Sequence, residues 1–189
     1  MSLANKLSLF RILLVPGFVG CLVYYRAGES EILRYLAVTL FVIGVVTDAV
    51  DGYVARAENQ ASRLGAILDP AADKLLLVTA YLSLSLITTL PEAYRLPAWV
   101  PILVLSRDLI IVCGWLLIVL VTGDLQAQPS RLGKATTFLQ MLTVVAVLLG
   151  WPFARGVLWA AMVLTVLSGI GYLRRGNRIL NTPINPAKG

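Results

Sequence analysis

The sequence predicts an all-α integral membrane protein, with six transmembrane helices preceded by a short N-terminal interfacial amphipathic helix. Two observations carry that expectation. The 189 residues are 58% hydrophobic and 14% charged, against about 25% charged in ordinary soluble domains. The apolar residues also gather into six runs near the roughly 20 residues a helix needs to cross hydrocarbon, at about 10–26, 35–57, 68–90, 97–122, 133–152 and 156–173. No linker composition, charge block or fixed-period repeat divides the chain, so a single membrane domain over 1–189 is expected.

Each element has its own justification. In the opening SLANKLSLFR, Leu3, Leu7 and Phe10 share one helical face while Asn5, Lys6 and Ser8 turn elsewhere, the pattern of a helix lying in the interface. The following run, LFRILLVPGFVGCLVYY, lacks a small-residue cleavage site and precedes further apolar runs, so it reads as a retained helix. Connectors such as RAGESE, LPEAYRLP, TGDLQAQPS and GWPFARG hold the turn residues. Trp99, Trp151 and Trp159, near span ends, read as interface anchors. Cys21 and Cys113 fall inside apolar runs and read as small buried hydrophobes.

Lysines and arginines set the expected orientation. Eleven of the 16 lie at the N-terminus, the second and fourth connectors and the C-terminus, while Arg26, Arg34, Arg95 and Arg155 serve the other side and Arg107 lies within the fourth run. The positive-inside bias predicts both termini, and the acidic stretch described next, on the cytoplasmic face of the cytoplasmic membrane. The net charge of +6 then suits anionic headgroups and phosphates and is no evidence for nucleic acid.

Between the second and third runs stands DAVDGYVARAENQASRLGAILDPAAD. An ionised aspartate within a membrane helix costs about 2.5–3.5 kcal/mol, so four near one another demand cations. Asp48 and Asp51 are spaced i,i+3 at the end of one helix, and Asp69 and Asp73 i,i+4 at the start of the next, so each pair shares a face. Pro70 suits a first helical turn capped by Asp69, or kinks a helix begun near Gly65. Two helix ends bearing two carboxylates each can cage one or two divalent ions. With no histidine and no cysteine cluster, a metal here would be held by oxygen, which points to magnesium, calcium or manganese. Gly52 permits close approach to the backbone, and Arg56 and Arg63 offer forked donors to phosphate oxygens. Together these describe a site for a diphosphate.

Asp48, Asp51, Gly52, Ala55, Arg56, Gly65, Asp69 and Asp73 stand in the pattern D-x2-D-G-x2-A-R-x8-G-x3-D-x3-D. This resembles the signature of the CDP-alcohol phosphatidyltransferases, with every position present. The resemblance extends along most of the chain: Asn5, Leu7, Ser8, Arg11 and Pro16, the stretch DPAADKLL, the Arg107–Asp108 pair, Gly133-Lys134 with Thr137, and Ser168-Gly169 with Tyr172 are similar to counterparts in the phosphatidylglycerophosphate synthase and cardiolipin synthase branches.

The resemblance implies a six-helix membrane enzyme, usually a homodimer, that transfers the phosphatidyl group of CDP-diacylglycerol to an alcohol and releases CMP. It implies that Asp48, Asp51, Asp69 and Asp73 ligate two ions, magnesium or manganese, with Asp73 also the general base. It places Gly52, Ala55, Arg56, Ser62 and Gly65 at the CDP pocket. Outside the motif, Arg107 within the fourth run is costly unless functional or paired with Asp108, and Lys134 with Arg131 could bind an acceptor phosphate; all three are candidate acceptor residues. Arg174, Arg175 and Arg178 read as positive-inside anchors, and LSGIGY as a stretch allowing close helix packing.

The opening block, GK-x2-T and SG-x2-Y favour glycerol 3-phosphate as acceptor. RDLIIVCGWL, with Asp108 where synthases of phosphatidylglycerophosphate usually have glutamate and with no second arginine, is closer to cardiolipin synthases and leaves phosphatidylglycerol as the alternative. A carboxylate-lined ion or proton carrier is a remoter reading; it would need acids deep in several spans, and here they cluster at one edge.

Overall fold

The computed structural model describes residues 3–26, 31–58, 65–122 and 131–180, with side chains described over 9–26, 31–48, 74–114 and 131–174. Among the described residues there are six α-helices, α1 (Leu3–Tyr24), α2 (Glu31–Glu58), α3 (Gly65–Leu86), α4 (Trp99–Thr122), α5 (Arg131–Leu148) and α6 (Ala154–Leu180), with one 3-10 turn at Glu92–Tyr94. The all-α class of these residues matches the expectation.

The expected six transmembrane helices do not stand. Among the described residues three helical segments are long and apolar enough to cross a membrane: Glu92–Gly114, Arg131–Leu148 and Ala154–Arg174. Over their described residues the other three are shorter or more interrupted by charge. Among the described residues the apolar segment of α3 is Lys74–Leu86, and the same helix carries Asp69 and Asp73 before it. That of α1 is Leu9–Tyr24 and contains Arg11. In α2, Glu31, Arg34 and Asp48 interrupt positions 31–48. The separate interfacial helix is corrected as well, because α1 runs unbroken from Leu3 to Tyr24 and even Pro16 lies inside it; no breaker separates its polar opening from the apolar run.

Small buried residues bring the helices together. Ala37, Ala80, Ala146 and Ala161 are fully buried, letting backbones approach closely. Phe18 of α1 and Phe41 of α2 meet with ring centroids 5.9 Å apart, in a core continued by Leu77, Tyr81 and Leu84 of α3 and Val100 and Val104 of α4. A polar seam crosses it: the Tyr81 hydroxyl donates to the Gln140 carbonyl (3.1 Å), and Gln140 Nε2 donates to Thr165 Oγ1 (3.0 Å). Large apolar side chains on α4 and α6, including Ile102, Leu109, Val163 and Leu173, point outward, as a lipid-facing surface requires. Cys113 is exposed among them, against the expectation, while Cys21 is buried; apart from Ser106, Arg107 and Asp108, α4 is apolar on every face, so its outward positions look in sequence like core.

Contacts fix which helix ends lie together. Arg34, near the start of α2, donates to the Tyr94 hydroxyl (2.7 Å) and to the Leu148 carbonyl at the end of α5 (3.2 Å), while pairing with Glu31 (2.8 Å). Glu31 also accepts from the Tyr25 hydroxyl (2.9 Å); burial, then that bond, pushes the phenol up to about 12, so it remains a donor. Gly150, at φ 66°, ends α5 with Trp151 N–H returning to the Ala146 carbonyl (3.0 Å), a left-handed cap that suits glycine. Trp99 stacks on Trp159 with centroids 5.4 Å apart, and Trp151 lies 5.0 Å from Phe153. The three tryptophans expected as anchors thus share one end of the bundle, and the aspartate motif belongs to the other.

Candidate active site

At that other end, α2 carries Asp48, Asp51, Gly52, Ala55 and Arg56 within one uninterrupted helix, and Gly65 opens α3, with Asp69 and Asp73 following. Each aspartate pair therefore spans one helical turn, as its spacing predicts, and α2 and α3 are in contact. Pro70 lies past the first turn of α3, so Asp69 is inside the helix and is not its cap. Ser62 and Arg63 lie outside the described residues, and of the motif's side chains only that of Asp48 is described. Among the described residues no group of three or more His, Cys, Asp or Glu comes together.

Asp48 has a partner that the spacing does not announce. Arg11 of α1 is fully buried, and its Nη1 lies 2.8 Å from Asp48 Oδ1; the Asp48 side chain keeps 35% exposure. One turn before Asp48, Gly44 lets three helices meet. A Cβ there would stand 2.5 Å from Leu76 Cδ2 of α3, 3.7 Å from Leu14 Cδ1 and 3.8 Å from Arg11 Cγ. Gly44→Val should overpack this junction, costing about 1–3 kcal/mol and displacing the two aspartate-bearing helix ends. A lowered melting temperature in detergent together with reduced turnover is the expected result; wild-type values for both would show that the junction tolerates bulk.

A second charged cluster joins α3, α4 and α6. Lys74 Nζ lies 2.6 Å from Asp108 Oδ2, Arg107 Nη1 lies 2.7 Å from Asp108 Oδ1, and Arg107 Nη2 donates to Ser168 Oγ (2.8 Å). Arg107 and Asp108 are both buried, where paired charges strongly constrain helix register. Arg107, a candidate acceptor residue, is thus held by Asp108 and Ser168. Gly114 sits against Tyr172, where a Cβ would meet the ring at 2.6 Å, and a Cβ on Gly169 would lie 3.7 Å from the Arg107 side chain, while Gly171 of the same LSGIGY stretch faces open space. Arg131 and Lys134 begin α5 at the same end and are exposed.

Arg11, Lys74 and Ser168 stand in the sequence only as parts of blocks that resemble the family, with no role or partner assigned to them. Arg11 was visible as a lone cation in an apolar run, and Lys74 as the residue directly after Asp73. Their partners lie 37 and 34 positions away in the chain, which no local pattern reports. The candidate ligands are all carboxylates, the oxygen donors a hard divalent ion takes, and the one with a described side chain, Asp48, is paired with Arg11.

Among the described residues, six helices, three of them long and apolar enough to span a membrane, with an Arg11–Asp48 pair and a Lys74–Asp108–Arg107 cluster between them, define an α-helical membrane protein. The chain belongs to the CDP-alcohol phosphatidyltransferase family, an enzyme family whose match covers residues 1–167. It is 36% identical to the CDP-diacylglycerol–glycerol-3-phosphate 3-phosphatidyltransferase of Bacillus subtilis, over 96% of this chain and 98% of that one. Proteins of the same name from Blochmanniella floridana (35% identical, 92% of this chain, 90% of that one) and Rickettsia felis (30%, 92% and 94%) are also similar to it.

Proposed function

We propose that this protein transfers the phosphatidyl group of CDP-diacylglycerol to glycerol 3-phosphate, forming phosphatidylglycerophosphate and CMP. The acceptor hydroxyl attacks the phosphorus next to the lipid, the bond to CMP breaks, and Asp73 takes the hydroxyl proton. The observation that carries this reading is the pair of adjoining helices bearing Asp48 with Asp51 and Asp69 with Asp73, in the family's spacing. The names of the similar proteins above support glycerol 3-phosphate.

Asp48, Asp51, Asp69 and Asp73 would hold two magnesium or manganese ions, which when bound neutralise the diphosphate and stabilise charge on the departing CMP. Arg56 pairs with phosphate oxygens of the donor, and Gly52, Ala55, Ser62 and Gly65 shape its nucleotide pocket. Lys134 and Arg131, exposed at the start of α5, are the cations at this end best placed to meet the acceptor phosphate. Arg107 acts on the acceptor while braced by Asp108 and Ser168. The excess of Lys and Arg at this end orients it and both termini toward the cytoplasm, and the active assembly is a homodimer.

Purified protein supplied with CDP-diacylglycerol, magnesium and either glycerol 3-phosphate or phosphatidylglycerol tests the reading by identification of the lipid product. Phosphatidylglycerophosphate formation that stops in excess chelator is expected. Cardiolipin formed from phosphatidylglycerol, with glycerol 3-phosphate inert, would reassign the acceptor, and full activity in chelator would remove the metal.

A further inference from the structure

The tryptophan end of the bundle holds a feature that the transfer reaction does not use. A cleft of about 290 Å³ opens between the 3-10 turn, the starts of α4 and α6 and the end of α5, and Glu92, Arg95, Trp99, Arg155 and Trp159 line it. An adjoining cleft of about 430 Å³ shares Glu92, Arg95 and Arg155 and adds Ser85, whose Oγ is buried without a hydrogen-bond partner. Neither Arg95 nor Arg155 has an ion-pair partner among the described residues. All three membrane-spanning segments have an end here, so whatever meets these charges sits at the headgroup level of a bilayer. Below the stacked tryptophans, Ile102 lies one turn along α4 from Trp99 and Val163 one turn along α6 from Trp159, and both are exposed, at 63% and 55%. That leaves an apolar track for acyl chains leading down from the charged cleft.

We propose that this cleft binds a membrane phospholipid whose headgroup carries a primary amine, phosphatidylethanolamine in class. Its phosphate lies between Arg95 and Arg155, which offer forked donors suited to a phosphodiester. Its ammonium meets the Glu92 carboxylate, and its chains run along Ile102 and Val163. Charge selects this occupant. An anionic headgroup without an amine satisfies the arginines but leaves Glu92 facing it, and a quaternary choline cannot donate a hydrogen bond to Glu92.

Native mass spectrometry of the full-length protein in detergent tests this with phosphatidylethanolamine, phosphatidylglycerol and phosphatidylcholine of matched chains. Wild-type protein should retain the ethanolamine lipid about tenfold better than the other two, the worth of one charge-assisted bond. Glu92→Gln should erase that preference while leaving phosphatidylcholine retention unchanged, and the Arg95→Gln/Arg155→Gln variant should lose the tightly held lipid. Equal retention of all three lipids by wild type, or a preference that survives Glu92→Gln, overturns the proposal. Should the double variant fail to fold, the Glu92→Gln result decides alone. Phosphatidyl transfer by the Glu92 variant should stay at the wild-type rate, because the cleft lies at the opposite end from the aspartates. Loss of transfer in wild type with the lipid preference intact would strike the proposed activity alone.

Discussion

Asp73→Asn is expected to abolish phosphatidyl transfer while leaving the folded protein intact. Asparagine keeps the shape and nearly the volume of aspartate but cannot take a proton, so only chemistry that needs a base is lost. General-base catalysis contributes about 10²–10⁴-fold, and the proposed role in holding an ion adds to that, so the fall in kcat should reach at least about a thousandfold. The neighbouring Lys74 is held at 2.6 Å by Asp108 across the α3–α4 contact, which fixes this turn of α3 independently of residue 73. Folding should therefore survive. Initial rates at saturating donor and acceptor, beside a melting curve in the same detergent, make the measurement. Turnover within a few-fold of wild type would remove Asp73 as the base, whatever the melting curve shows.

The helices themselves could be read from the chain because their cause is local. Apolar runs of suitable length, bounded by Gly, Pro and charge, recur six times, and six long helices form. What failed was the step from helix to span. Arg11 and Arg34 count in the sequence as flanking charges, yet they sit within helices and are satisfied by partners on other elements, Asp48 for Arg11 and Tyr94 with Leu148 for Arg34. A charge satisfied across a helix contact looks, in one dimension, the same as a charge at a membrane edge. The motif was legible for a different reason: its positions lie within two consecutive helices, so i,i+3 and i,i+4 arithmetic suffices to place each pair. The Lys74–Asp108–Arg107–Ser168 cluster joins three helices that are remote in sequence, and only Arg107–Asp108, being adjacent in the chain, was foreseeable.

The buried arginine of α1 leads to the second large effect. Arg11→Ala removes a fully buried guanidinium from 2.8 Å beside Asp48. Breaking a buried ion pair costs about 3–5 kcal/mol because the surviving charge is left uncompensated. Here the loss should fall near the lower figure, since Asp48 retains 35% exposure and can draw water to its carboxylate. The same change frees the Asp48 rotamer within α2, one turn before Asp51. A catalytic group displaced by about 1 Å can lose about a hundredfold in rate, so turnover should fall further than stability alone explains. Arg11→Lys keeps the charge but offers a compact ammonium on a different stem in place of a rigid fork, and should recover part of the stability and less of the rate. A rate that needs more magnesium for half-saturation in Arg11→Ala would show that the guanidinium orients Asp48 for its ion. The Arg11→Ala/Asp48→Ala double variant then separates orientation from packing. If the arginine acts through Asp48, the double variant should be no slower than Asp48→Ala alone, whereas independent losses that multiply would make Arg11 a packing residue.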